Sequence, residues 1–458
     1  MADQLTPEMS VSGPLGATPE GGAFQPATPT LGTRSWLSAR CGWLGLGGLL
    51  VSGLVISLSA AHTALLLPAS LQPVPSWLAG PFGGAGLDLG LGGVSAVLAL
   101  MFVSYTLAIR AADQLSGRAV LMSIAALHAL VLLAPPLLST DVFSYGAYGR
   151  MGALYGTSPY LHGPNAIALD PLYRFIGAQW VTTPTAYGPV FTALSYLLAP
   201  LDIAANVLMY KLVAAMSSLV IVVLVWHAAR LRGLDPVKSV ALVGLNPVII
   251  VYGVGGGHND LLMLAIMVAG VYVLLQQRQR PGGALIVVAA AVKLTAGLLL
   301  PFALAGSDGQ GDGVRGRRDV VIGAGLAAAL IAAAGGAMFG TGPLHLLGTL
   351  QTIQSHGGPN SIPGVIATGL GLGEPSTVTG FLLAAGFTVT ALWLLRRVWM
   401  GELDWITGAG WATLALLITT GLLLPWYVAW LLPLAALSSD RRLSLAAVLM
   451  TGLGLTSL

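Results

Sequence analysis

Apolar runs about twenty residues long, enough to cross a bilayer's hydrocarbon core, recur down this chain and fix its class before any motif does. The first three lie near 43–65, 89–109 and 119–138. Others follow at 188–200, 207–229, 238–253, 259–276, 283–304, 319–338, 377–395, 405–424, 426–437 and 443–458. Only 8% of the 458 residues are charged, against about a quarter in soluble domains. The chain therefore reads as an all-α polytopic membrane protein with roughly 11 to 13 membrane segments. Several of these are too short to cross alone. Short, broken or re-entrant segments survive in a bilayer only where protein buries them or where they line a cavity.

The bases set the expected orientation. Arg34 and Arg40 precede the first run, Arg110 and Arg118 separate the second from the third, and 66–88 has neither Lys nor Arg. The positive-inside rule puts the N-terminus in the cytosol and residues 139–187 outside the plasma membrane. Further basic clusters fall at 230–238, 278–280, 315–318, 396–397 and 441–442. If all are cytosolic, the run 283–304 enters and returns on that side, and 188–200 is re-entrant from outside. "GGGHND" (255–260), the loop 340–363 and "LPWYVAW" (424–430) then share the outer side with 139–187. Residues 1–40, rich in Pro, Gly, Thr and Ala, read as a disordered cytosolic tail ahead of one membrane domain, 41–458. A formal net charge of +3 gives no case for nucleic acid, and the single cysteine, Cys41, excludes an intrachain disulfide.

The outer loop opens on "DVFSYGAYGR" (141–150). An acid at the mouth of a span must be hydrated, paired or put to use. Asp141 reads equally as a helix N-cap and as a general base for a sugar hydroxyl. The loop's aromatics argue against disorder, and Tyr145, Tyr160 and Tyr187 are candidates to line a sugar site. "YGAYGRMGALY" and "PLYRFIGAQW" are expected to form interfacial helices. His258, Asn259 and Asp260 stand just ahead of an apolar helix, whose N-terminus favours a bound phosphate; a flexible turn with a capping residue explains them as well. Lys293 lies inside "VVAAAVKLTAGLLLPF". Its natural partner is a lipid phosphate, unless it snorkels to the interface. His356, in "QTIQSHGGPNSIPG", reads equally as a hydrogen-bonding partner for a sugar or a phosphate and as ordinary loop polarity. Trp426 and Tyr427 follow Pro425 and serve either an aromatic belt or sugar stacking. No GxxxxGKT phosphate loop or catalytic-serine motif occurs, and His-Asn-Asp lacks the spacing of HExxH, so no metal site is expected.

Taken in order, "STDVFSYGAYGRMGALYGTSPY", "DPLYRFIGAQWVTTPTAYGPVF", "GGGHNDLLML", "AAAVKLTAGLLLPF" and "LPWYVAWLLPLA" resemble the polyprenol-phosphate-mannose-dependent α-1,6-mannosyltransferases of actinobacteria (MptA/MptB type). These are multi-span GT-C glycosyltransferases, and the resemblance runs over roughly residues 40 to 458. It implies a GT-C-type bundle with Asp141 at the general-base position. It also places Gly257 to Asp260 on the family's "GHND", Lys293 on its "AVK" lysine and Pro425 to Tyr427 on its "PWY". Many GT-C enzymes carry two adjacent acids in this loop; here Val142 follows Asp141, so a paired-acid metal site is not implied. The implied reaction is inverting transfer of mannose from polyprenyl-phosphate-mannose to the 6-hydroxyl of an α-mannan, the backbone of lipomannan and lipoarabinomannan, on the outer face and without a cofactor. Asp141 would remove the proton, and Arg150, His258, His356 and Lys293 are candidates to ease phosphate departure. The competing class is a secondary transporter or lipid-linked-sugar flippase. Broken helices and an intramembrane lysine fit it; the long aromatic loop and the lack of a visible repeat do not.

Overall fold

The computed structural model describes residues 31–307, 313–355, 361–371 and 377–456, and the regular structure among them is entirely helical. Helices α1 (Leu31–Ser59), α2 (Gly90–Arg110) and α3 (Gly117–Leu133) pass back and forth, with α1 packed along both others. After α3 come α4 (Asp141–Ala153) and α5 (Pro189–Leu198), which pack on each other, and then the long α6 (Ile203–Leu231). Helix α7 (Pro236–Gly244) leads into a π-helical turn, Val248–Val254, bent from it by 47°. Next are α8 (Asp260–Leu275), α9 (Gln279–Val292), a 3-10 turn (Leu294–Leu298) and α10 (Leu299–Gly306). Then follow α11 (Gly313–Phe339), α12 (Leu346–Ser355), α13 (Ile362–Gly369), α14 (Thr377–Trp399) and α15 (Trp405–Thr419). A 3-10 segment (Pro425–Trp430), α16 (Leu432–Ala436) and α17 (Arg441–Leu455) complete the bundle.

Five helices, α1, α2, α6, α11 and α14, are long and apolar enough to span a membrane, and the bent α7 pair makes a sixth. The others are shorter apolar helices that the bundle supports. The chain is thus a multi-pass membrane protein with broken segments, as the uneven run lengths require.

Two breaks in these helices set the level of the buried polar groups. In the first, Pro247 has no N–H to give the helix, and the buried Asn246 repairs the gap. Its Oδ1 accepts from Val248 N at 2.9 Å, while its Nδ2 donates to Tyr105 Oη at 2.9 Å and Thr451 Oγ1 at 2.8 Å. Tyr105 in turn donates to Leu242 O at 2.7 Å. In the second, the run 283–304 divides at Lys293, whose extended backbone (φ −148°, ψ 123°) separates α9 from the 3-10 turn and α10. Lys293 stands at the break between the two arms. Helix α5 meets this break. Gly188 N donates to Val292 O at 3.0 Å, and a Cβ on Gly188 would stand 2.1 Å from Ala291 O, so only glycine lets α5 begin against the end of α9.

Three expectations change. Helix α1 begins at Leu31, inside the stretch expected to be disordered; residues 1–30 of that tail lie outside the described residues. "PLYRFIGAQW" forms no interfacial helix but two 3-10 turns, Tyr173–Phe175 and Ala178–Trp180, because Gly177 between them is extended. And α4 is no surface helix: Val142 through Gly149 are buried, since α5 and α6 cover it.

The first break yields a prediction. Asn246→Leu strands the Val248 N–H in the core and should lower stability by about 2 kcal/mol. Thermal unfolding in detergent micelles measures this, and an unchanged midpoint would show that the side chain does not hold the bend.

Candidate active site

The connector from α3 delivers Asp141 as the first residue of α4, where the N-cap position belongs to Thr140, which makes no capping bond with its side chain. The Asp141 carboxylate is therefore free for other work, and its side chain keeps 15% exposure. Four residues on, one helical turn along the same face, Tyr145 donates its hydroxyl to Asp141 Oδ2 at 3.2 Å. The same hydroxyl accepts from Asn259 N at 3.4 Å and lies 3.4 Å from Asn259 Oδ1.

The glycine turn supplies the facing group. Gly257 has φ +69°, a left-handed conformation that favours glycine, and it swings His258 into full burial. His258 Nδ1 stands 3.2 Å from Asp141 Oδ2, within ion-pair reach although its N–H is not aligned for a linear hydrogen bond. The ring lies flat on Trp426, centroids 3.8 Å apart and planes 20° apart. Burial pushes the Asp141 carboxyl up. Contact with His258, its charge, the charge of Lys293 and the Ser139 hydroxyl outweigh burial and hold it below the ordinary carboxylate value. Burial, with Tyr187 and Asp141 adding to it, keeps the Tyr145 phenol well above its ordinary value, so Tyr145 remains a donor.

A second ion pair sits beside the first. Lys293 Nζ donates to Asp260 Oδ1 at 2.7 Å, and Trp430 Nε1 donates to the same oxygen at 2.6 Å. Tyr427 and Trp430 stack at 4.3 Å, and Lys293 Nζ lies 4.6 Å, 5.2 Å and 5.9 Å from the ring centroids of Tyr427, Trp430 and Tyr187. Tyr187 meets Tyr145 edge-on at 5.1 Å, which joins the two halves. Asn259 stands at the N-cap position of α8 without a side-chain cap bond. Buried polar atoms without a protein partner cluster here: His258 Nε2, Asn259 Nδ2, Asp260 Oδ2 and Trp426 Nε1. Buried polar groups are ordinarily satisfied, so this set has the character of a wall awaiting a polar ligand.

The structure thus gathers Asp141, Tyr145, Tyr187, His258, Asn259, Asp260, Lys293, Trp426 and Tyr427. It does not bring in Arg150, expected as a phosphate contact. That guanidinium contacts both oxygens of Asp170 at 3.1 Å and Leu201 O at 2.9 Å, and Tyr155 also donates to Asp170. Its charge is committed to tying α4 to the loop behind it. Tyr160 is likewise engaged elsewhere, donating to Thr192 at 3.0 Å and packing on Phe339. His356 lies outside the described residues. Sequence reasoning passed over Trp430, although its spacing three residues after Tyr427, within "LPWYVAW", places the two on neighbouring faces of one turn.

Asp260→Asn leaves Lys293 without its carboxylate and should cost about 3–5 kcal/mol, the usual result of halving a buried pair. Replacing both Asp260 and Lys293 by apolar residues should recover part of that loss. Thermal unfolding of the single and double variants decides; additive losses would show that the two do not interact.

Residues 42–306 match the family described as alpha-(1->6)-mannopyranosyltransferase, N-terminal domain, and 360–455 match the MptB C-terminal domain. Alpha-(1->6)-mannopyranosyltransferase Rv1459c of Mycobacterium tuberculosis is 34% identical over 149 residues, 31% of this chain and 24% of the relative. Alpha-(1->6)-mannopyranosyltransferase A of the same organism is 30% identical over 187 residues, 38% of this chain and 35% of the relative. Its Corynebacterium glutamicum counterpart is 26% identical over 187 residues, 39% and 37%. The chain thus aligns with between a quarter and two fifths of these relatives' length. No solved structure matches. The N-terminal match alone takes in more than half of the chain, including Asp141, His258 and Lys293, and the chain belongs to the MptA/MptB-type alpha-(1->6)-mannopyranosyltransferase family.

Proposed function

We propose that the protein is an inverting mannosyltransferase that moves mannose from polyprenyl-phosphate-mannose to the 6-hydroxyl of an α-mannan acceptor. The observation that carries this reading is the pairing of one partly exposed carboxylate, Asp141, with a separate cation, Lys293, inside one aromatic wall. An inverting transfer asks for these two charges in separate places. A base takes the proton of the attacking hydroxyl on one face of the sugar, and a positive group receives the phosphate on the other. His258 and Tyr145 hold Asp141 ionised and aimed. Asp260 and Trp430 hold Lys293 at the break between α9 and α10.

In the proposed step, the acceptor oxygen bonds to the anomeric carbon as the carbon–phosphate oxygen bond breaks. The proton passes to Asp141, and the phosphate leaves with the electron pair. The configuration goes from a β-linked donor to an α-linked product. No metal or cofactor has a part in this scheme. Tyr187, Tyr427 and Trp430 offer apolar ring faces to a sugar, and the unpartnered Asn259 Nδ2 and Asp260 Oδ2 suit its hydroxyls.

The extracytoplasmic placement of the site rests on charge. The basic clusters around Arg232, Arg280, Arg317, Arg397 and Arg441 stand at or beside helix ends, and Arg232–Asp404, Arg280–Asp319 and Arg317 on Trp399 join several of those ends, which supports one cytosolic face for them. It also suits a lipid-linked donor, whose tail lies in the bilayer.

Purified protein incubated with polyprenyl-phosphate-mannose and short α-1,6-mannosides should extend them through a new α-1,6 bond, established by linkage analysis. Absence of mannosyl transfer defeats the reading. Asp141→Asn should lower kcat by about a thousandfold with donor binding little changed; a fully active variant would remove Asp141 from the chemistry. Because Asp141 is held below the ordinary carboxylate value, it stays ionised as pH falls through that range. The acid limb of the rate profile should therefore lie below it. In His258→Gln the raising influence of burial goes less opposed, and the limb should move to higher pH. A limb unmoved by this substitution separates His258 from the base.

A further inference from the structure

Helix α3 runs into Pro135 and Pro136. The last carbonyls of a helix lack intrahelical donors, and here the next residues cannot supply them: the N–H groups that would reach Val131 and Leu132 belong to two prolines. Inside a bilayer such carbonyls must find partners within the protein. They find Lys211. From α6, its ammonium donates to Val131 O at 2.8 Å, to Pro135 O at 3.2 Å and to Ala134 O. Three N–H groups meet three carbonyls at the negative end of the α3 dipole, and the side chain is only 2% exposed. Among the described residues Lys211 has no carboxylate partner.

An ammonium buried in a span is expensive, and its placement here has a second consequence. The connector leaving the clamped carbonyls runs from Ala134 to Thr140 and ends at Asp141. Leu137 N donates to Gly255 O at 3.1 Å and Leu138 N to Leu66 O at 3.0 Å along the way. The lysine stem also backs the glycine turn. A Cβ on Gly257 would stand 3.2 Å from Lys211 Cγ and 2.6 Å from Val142 Cγ1, and His258 is the next residue. One side chain therefore touches both segments that face each other across the carboxylate–imidazole contact.

We propose that Lys211 is a positioning residue for Asp141 and His258, fixing the end of α3 that leads to the carboxylate and bracing the turn that presents the imidazole. This rests on Asp141 acting as base in the proposed mannosyl transfer. All three ammonium protons are engaged with carbonyls, so Lys211 is no phosphate ligand.

Lys211→Met and Lys211→Gln in the full-length protein test it, with kcat and KM normalised to folded protein. In Lys211→Met, kcat should fall by about 100-fold, the size of loss a 1 Å displacement produces, while the donor KM stays within about threefold. Lys211→Gln, which keeps two donors, should regain part of the rate. Hydrogen–deuterium exchange supplies a readout that needs no activity: the Leu137, Leu138 and Phe143 amides should exchange faster in Lys211→Met, with α14 unchanged. A kcat per folded protein equal to wild type overturns the proposal, as does failure of both variants to fold, which would make Lys211 a stability element. If the wild-type protein transfers no mannose, the transferase reading falls separately. The exchange data then decide whether Lys211 clamps the connector, and unaltered exchange at 137–143 overturns it.

Discussion

A peptide backbone that leaves the helix inside a bilayer must find partners for its freed N–H and C=O groups within the protein itself. This requirement organises the present bundle. The chain breaks after α3, between α7 and its π-turn, and between α9 and α10. Lys211 satisfies the first break and Asn246 the second. The third exposes no comparable gap because α5 arrives against it and Gly188 N takes up the Val292 carbonyl. The breaks after α3 and α9 lead straight into the candidate site: the first ends at Asp141, and the last has Lys293 at its tip. Regular helices would have carried both residues past that level.

The charges obey the same rule. Asp141, His258, Asp260 and Lys293 form two adjoining contacts in which every charged group has an opposite or hydrogen-bonding neighbour. Asp260 Oδ1 takes both Lys293 and Trp430, and its Oδ2 remains open. Asp141 differs in keeping a margin of exposure. That difference separates their roles. A sealed carboxylate can hold a cation, and a partly open one can meet a hydroxyl.

Much of this was legible in the sequence, for reasons that can be named. Helical class followed from apolar run length. The motif residues of "GHND" and "PWY" gathered with Asp141 because each ends or begins an apolar segment at the same level. What was not legible depended on partners distant in the chain. Arg150 looked like a free cation until Asp170 and Leu201 O were found around it. "PLYRFIGAQW" looked helical, and Gly177 divides it. Lys211 was one lysine in an apolar run; its meaning lies in the prolines of another helix.

The aromatic wall also carries a consequence for how the protein is made. His258 and Asp260 belong to the segment 42–306, whereas Trp426, which covers one, and Trp430, which bonds the other, belong to 360–455. The site is a seam between an early and a late part of the chain. During synthesis the imidazole and the Asp260–Lys293 pair enter the membrane well before the indoles that shield them. The imidazole face and the second bond to Asp260 Oδ1 can therefore be covered only after residues 426–430 have been made.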